Sequence, residues 1–142
     1  MKILAVSGSL RADSYNTSLL QAAADAAPEG VELELWEGIG DLPPYDQDLD
    51  DRDVPVSVRR LREAWSAADA ILFATPEYNG SVPGVLKNAI DWASRPKFEA
   101  ALTGKTVAVV GASTGQFGAL WAQTDLKKIL GAAGARVVGT EI

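Results

Sequence analysis

Short apolar runs alternate along the whole chain with stretches whose apolar residues recur at helical spacing, and this alternation leaves few architectures open. Strands that are apolar on both faces need cover on both faces, as in a parallel sheet joined by crossover helices. "KILAVSG" is the first such run. After it, Leu19, Leu20, Ala23, Ala24 and Ala27 fall at helical spacing, and Pro28-Glu29-Gly30 stops the helix. "VELELW" alternates apolar and charged residues, so it reads as a strand nearer a sheet edge. Val58, Leu61, Trp65 and Ala68 give a second helix. "AILFATP" is a third strand, and Val85, Leu86, Ala89, Ile90 and Ala93 mark a helix entered through Pro83-Gly84. "KTVAVVGAS" makes a fourth strand, Leu120, Leu126, Ile129 and Leu130 a fourth helix, and "ARVVGTEI" closes as a fifth strand. With 142 residues, 47% of them hydrophobic, the chain holds one core, so a single domain over 1–142 is expected.

Three polar, Gly-bearing loops, at 7–16, 76–82 and 113–118, each follow a strand directly. Parallel strands put their carboxyl ends on one edge, where open α/β sheets bind ligands, so the three loops are expected to converge there. The first is the richest in polar groups. "GSLRADSYN" and the residue after it present Ser9, Arg11, Ser14, Asn16 and Thr17 at the start of a helix. A helix N-terminus offers unpaired N–H groups and partial positive charge, and Arg11 adds a planar fork suited to phosphate. The set reads as an anion cradle. A blander reading keeps Ser14 or Asn16 as a helix cap and Arg11 as a solvated side chain.

Several chemistries are excluded. The chain contains neither Cys nor His, which removes thiolate nucleophiles, zinc thiolates and His-based triads, so redox chemistry would need a cofactor. There is no G-x-x-x-x-G-K-[ST] phosphate loop. The net charge of −6 disfavours nucleic acid and anionic membrane surfaces as main partners. The apolar runs are too short for a signal peptide or a membrane span, so the expected compartment is the cytoplasm.

The second loop combines a rigid Pro, a permissive Gly and an aromatic, and can lay main-chain donors and acceptors along a flat heteroaromatic ring. "GSLRADSYN" together with "PEYNGSVPGVLKNAIDW" resembles the NADPH-dependent FMN reductase family of flavodoxin-like proteins, which includes quinone and chromate reductases. The resemblance runs from Met1 to Ile142. It implies an α/β, flavodoxin-like, doubly wound five-stranded parallel sheet of order 2-1-3-4-5 with helices on both faces. It places an FMN phosphate on Ser9, Arg11, Ser14, Asn16 and Thr17, and the isoalloxazine edge along Pro76, Glu77, Tyr78, Asn79 and Gly80. Ser113 and Gly115 then stand near the ring's other side. Tyr78 and Asn79 are expected to shape the substrate face, and Glu77 to contribute to a subunit contact.

By the same resemblance, NADPH or NADH passes a hydride to bound FMN, which reduces a small acceptor: a quinone, chromate, an azo compound or free flavin. No residue is expected to act as acid, base or nucleophile. The family is commonly dimeric or tetrameric, which makes Trp92, Arg95 and Trp121 interface candidates, with core packing the alternative for the two tryptophans. Family members also continue past the fifth strand into a final helix, whereas this sequence ends at Ile142. The expectation is a tail beyond this sequence, or a subunit contact, covering sheet surface that the first helix alone would leave exposed.

Three other readings compete. A flavodoxin-like electron carrier would bind FMN but serve a protein partner, which the acidic charge also suits. A Rossmann reading of "VGASTGQFG" has Ser113 where the second fingerprint Gly belongs, with Glu141 as the ribose acid. Asp46, Asp48 and Asp50 alternate like calcium ligands, but Asp51 and Ser57 stand where an EF-hand has Gly and Glu. A solvated loop is the expectation for that acidic segment.

Overall fold

The computed structural model describes residues 1–139. Five parallel strands, β1 (Lys2–Ser7), β2 (Glu32–Trp36), β3 (Ala70–Ala74), β4 (Thr106–Val110) and β5 (Arg136–Val137), form one sheet in the order β2-β1-β3-β4-β5. The helices between them are α1 (Tyr15–Asp25), α2 (Gln47–Arg52), α3 (Val56–Ala67), α4 (Gly84–Ala93) and α5 (Leu120–Ala132). This is the doubly wound order that the family resemblance implied. Among the described residues the fifth strand pairs at Thr106↔Arg136 and Val107↔Val137, and Thr140, Glu141 and Ile142 of the expected "ARVVGTEI" strand lie outside the described residues.

Period-two alternation along each strand divides the core between the two faces. Leu4, Val6, Ile71, Phe73 and Val107 face α3, α4 and α5, and pack against Leu61, Trp65, Leu86, Ile90, Leu126 and Leu130. Trp65 anchors this layer through edge-to-face contacts with Trp36 and Phe73. On the opposite face the fully buried Leu20 of α1 covers Ala5 and Ala74, while Leu33, Leu35, Leu72 and Val110 are only partly buried. Among the described residues α1 is the helix on that face and leaves part of it open, as the doubly wound pattern implied.

Between β2 and α3 the structure departs from the sequence reading. The acidic segment is the short helix α2, capped by the Asp46 carboxylate, which accepts from the Asp48 N–H at 2.9 Å. Asp50 makes a two-pronged pair with Arg62, whose guanidinium also donates to the Trp92 carbonyl. The Trp92 indole N–H donates to the Pro43 carbonyl at 2.8 Å and the ring is wholly buried, so packing, not subunit contact, accounts for it. Arg95 is exposed and lies over the Tyr45 ring.

Candidate functional site

The strand order makes β1, β3 and β4 neighbours, so the three loops that follow them stand side by side at the carboxyl edge. Main-chain bonds continue the ladder into the loops: Gly8 N–H to the Ala74 carbonyl at 2.8 Å, and Thr75 N–H to the Val110 carbonyl at 3.0 Å. The Asn16 side chain extends this stitching. Its carboxamide accepts from the Ala112 N–H at 2.9 Å and donates to the Ala112 carbonyl at 3.1 Å, fastening the start of α1 to the loop after β4.

In the first loop, local hydrogen bonds explain the residue choices. Ser14 is the N-cap of α1; its hydroxyl oxygen accepts from the Thr17 N–H, and the side chain is buried. Ser9 accepts from the Arg11 N–H at 3.2 Å. Both hydroxyls keep a proton to donate. Arg11 is exposed, lies over the Tyr15 ring and donates to the Asp13 carbonyl. Thr17 points elsewhere, donating to the Ser7 hydroxyl at 3.0 Å and lining a cavity beside residues 35–41 that shares Ser9 and Arg11 with the adjoining one between the three loops.

The second loop folds into a two-residue hairpin. Tyr78 and Ser81 exchange main-chain bonds of 2.9 and 3.1 Å around Asn79 and Gly80, whose φ values are +52° and +75°. Left-handed angles at both central positions define a type I′ turn, for which Asn-Gly is the favoured pair. Asn79 and Gly80 thus form an exposed tip, while Tyr78 stands half exposed at its base. Glu77 is half-buried, and its Oε1 accepts from the Ala122 N–H in the first turn of α5 at 3.0 Å. In the third loop the Ser113 hydroxyl oxygen accepts from the Gly115 N–H at 3.0 Å.

These loops close around a cavity of about 330 Å³. Ser9, Arg11, Ser14 and Asn16 form its α1 end; Pro76, Glu77 and Tyr78 one side; and Ser113 the other. Thr17, Asn79, Gly80 and Gly115 stand outside its wall. The volume lies within the range of about 300–1,000 Å³ usual for small-molecule sites. Tyr15, Ala112 and Thr114 also line it. Tyr15 follows the Ser14 cap, a sequence position that marks the first turn of α1; Ala112 carries no side-chain signal at all.

Chemically, the α1 end gathers donors suited to an anion: the helix N-terminus, two hydroxyls and a guanidinium line this part of the slot. Among the described residues the slot's one carboxylate, Glu77, is engaged by α5. Donors for an anion toward α1 and the Tyr78 side chain with Pro76 on the wall suit a nucleotide with a phosphate and a planar ring. The residues present fit FMN.

The sequence model of the NADPH-dependent FMN reductase family matches residues 1–142. An NAD(P)H-dependent FMN reductase of Pseudomonas aeruginosa is 51% identical over 130 residues, covering 92% of this chain and 69% of the relative. A 2-hydroxy-1,4-benzoquinone reductase of a Burkholderia species is 45% identical over 129 residues, covering 91% and 69%. Among solved structures, FerB, a flavoenzyme NAD(P)H:(acceptor) oxidoreductase from Paracoccus denitrificans, superimposes with a TM-score of 0.91 at 42% identity, over 99% of this chain and 76% of that one. Strand order, loop convergence and sequence agree, and the chain belongs to the NADPH-dependent FMN reductase family.

Proposed function

We propose that residues 1–142 form one FMN-binding domain that works as an NAD(P)H-dependent reductase of small acceptors, quinones foremost. The observation that carries this reading is the single slot closed by three strand-end loops with the N-terminus of α1 at one end. Relatives that share about half of its residues are an FMN reductase and a benzoquinone reductase.

In this reading the phosphate sits on Ser9, Arg11 and Ser14 and on main-chain N–H groups at the start of α1, including that of Asn16, while the Thr17 N–H is held by the Ser14 hydroxyl and braces the cradle from behind. Pro76, Glu77 and Tyr78 line one edge of the ring, the Asn79-Gly80 tip borders its open face, and Ser113 and Gly115 form the far side. Asn16 contributes mainly through its clasp on Ala112, which holds phosphate end and ring end at a fixed distance. FMN, when bound, supplies the two-electron redox chemistry. The chain's own contribution is orientation: the loops hold a flat ligand with one face open beside Tyr78, and the absence of His and Cys is consistent with a reaction that needs no protein acid or nucleophile. The reductase acts in the cytoplasm, where reduced nicotinamide is available; among the described residues no helix is long and apolar enough to cross a membrane.

Self-association is part of the proposal. Tyr78 on the slot wall and Phe117, Leu120 and Trp121 about the start of α5 are each more than half exposed, and Phe117 and Trp121 pack against each other with centroids 5.7 Å apart. A cluster of large apolar side chains of this kind marks an interaction surface.

The test is the visible spectrum of the purified protein, with released cofactor identified by chromatography, followed by NADPH oxidation in the presence of a quinone. A bound flavin and quinone-dependent NADPH consumption are expected. A flavin that NADPH cannot reduce would favour an electron carrier, and failure to take up FMN at all would remove the reading.

A further inference from the structure

We propose that Glu77 is a positioning residue for flavin reduction, acting through α5 by clamping the 76–81 hairpin to that helix; the inference rests on the FMN reading above. The helix α5 starts without a cap of its own. Its N-cap, Ala119, is buried, has φ +62° and offers no side-chain acceptor to the first-turn N–H groups. Helices ordinarily meet this need with a local Ser, Thr, Asp or Asn. Here the acceptor comes from 45 residues earlier in sequence, from Glu77 to the Ala122 N–H at 3.0 Å.

A second bond lies one turn further along the same helix. The Ser81 hydroxyl donates to Asp125 Oδ2 at 2.7 Å. Ala122 and Asp125, three apart on α5, share a face, and Glu77 and Ser81 flank the hairpin on either side of its Asn79-Gly80 tip. Both feet of the hairpin are therefore fastened to α5. Since α5 is fed directly by the 113–118 loop, the two walls of the slot are tied to one rigid element, and the gap between Tyr78 and Ser113 is set by these bonds.

The clamp also fixes charge. The carboxylate of Glu77 faces the positive end of the α5 dipole and offsets it beside the slot. Removing the carboxylate leaves that partial positive charge uncompensated next to the ring, which favours an electron-rich ligand. A role confined to folding would have no such signature.

The experiment compares the purified chain with Glu77→Ala and Glu77→Gln. FMN is titrated first, then flavin reduction by saturating NADPH is followed anaerobically and the flavin midpoint potential is measured. Because misplacing reacting groups is costly, reduction in Glu77→Ala should slow by about tenfold or more, with Glu77→Gln, which keeps an acceptor for the Ala122 N–H, recovering to within about threefold of the parent. The potential should rise in both variants, since both lose the charge. Reduction at the parent rate in Glu77→Ala, or equal impairment in Ala and Gln, overturns the proposal. Should Glu77→Ala fail to fold, Ser81→Ala and Asp125→Ala open the other foot of the clamp; slower reduction in both supports it, and unchanged rates in both overturn it. If the parent chain takes up no FMN, the FMN reading fails and this inference with it, whereas normal FMN uptake with insensitive variants removes the clamp alone.

Discussion

Gly111 shows how a single position can be closed to every other residue. A Cβ there would stand 2.9 Å from the Thr75 carbonyl oxygen and 3.0 Å from Gln123 Nε2. The glutamine could move, but the carbonyl belongs to the strand-end backbone that ties the second loop to the third. Gly111→Ala should therefore cost about 1–3 kcal/mol, the usual range for overpacking, read as a lower denaturant midpoint with unchanged slope. Arg11 is the opposite case, exposed and placed by stacking on Tyr15 at 5.3 Å. Its loss should leave folding intact and weaken FMN retention by about 1.5–3 kcal/mol, the range for hydrogen bonds to charged groups. Arg11→Lys should recover only part of this, because an ammonium lacks the planar fork; unchanged flavin affinity in Arg11→Ala would contradict the phosphate assignment. The two residues also differ in how far sequence reveals them. Charge beside a helix start marks Arg11, whereas the constraint on Gly111 comes from a carbonyl on a neighbouring strand-end loop that no local pattern announces.

Elements here are joined by side chains that cross between them. Asn16 uses its whole carboxamide on the Ala112 main chain, so Asn16→Ala should destabilise the chain by about 1–3 kcal/mol, the cost of leaving part-buried partners unpaired. Amide hydrogen exchange should speed up at Ala112 in particular; protection there equal to the parent's would refute the clasp. Lys105 closes the other end of the sheet, donating to the Ser66 and Ala68 carbonyls at the end of α3. Burial holds its ammonium below the ordinary lysine value of 10.5, with the Asp69 charge pulling weakly the other way. The unfolded chain thus binds that proton more tightly, and stability rises with pH through the window just below 10.5. Lys2 has the opposite sign: its bond and charge contact with Glu34 raise its value, so its contribution is present below 10.5 and is lost as pH climbs past it. The melting temperature of the parent should rise relative to that of Lys105→Met as pH goes from neutral to about 10, and a constant difference would refute it. At this scale the strands were legible because burial on both faces leaves an unbroken apolar run. The helix α2 was not, because its acidic residues act as cap and ion-pair partner and carry no apolar stripe. The clasp by Asn16 escaped for a related reason: a polar residue at a helix start looks the same whether it faces a ligand or another loop.

For the molecule as a whole, a parallel sheet that gathers its functional loops on one edge also gathers their exposed apolar side chains. Tyr78 sits on a hairpin bonded to the first turn of α5, the turn that also carries the exposed Leu120 and Trp121, and Phe117 packs on Trp121, which brings exposed apolar residues of two loops to the same end of α5. Two copies meeting there would shield the patch and the open face of the slot from water. Each copy also carries a net charge of −6, so association works against like-charge repulsion that salt screens over about 10 Å at 0.1 M. If the patch drives pairing, light scattering should give a mass that rises above the 15.0 kDa of one chain as salt increases, the reverse of an interface held by ion pairs. Trp121→Glu, which places a further negative charge in the centre of the patch, should hold the mass at 15.0 kDa at every salt concentration while leaving the melting temperature of the exposed site little changed. A parent chain that stays at 15.0 kDa throughout would show that this surface does not pair with itself.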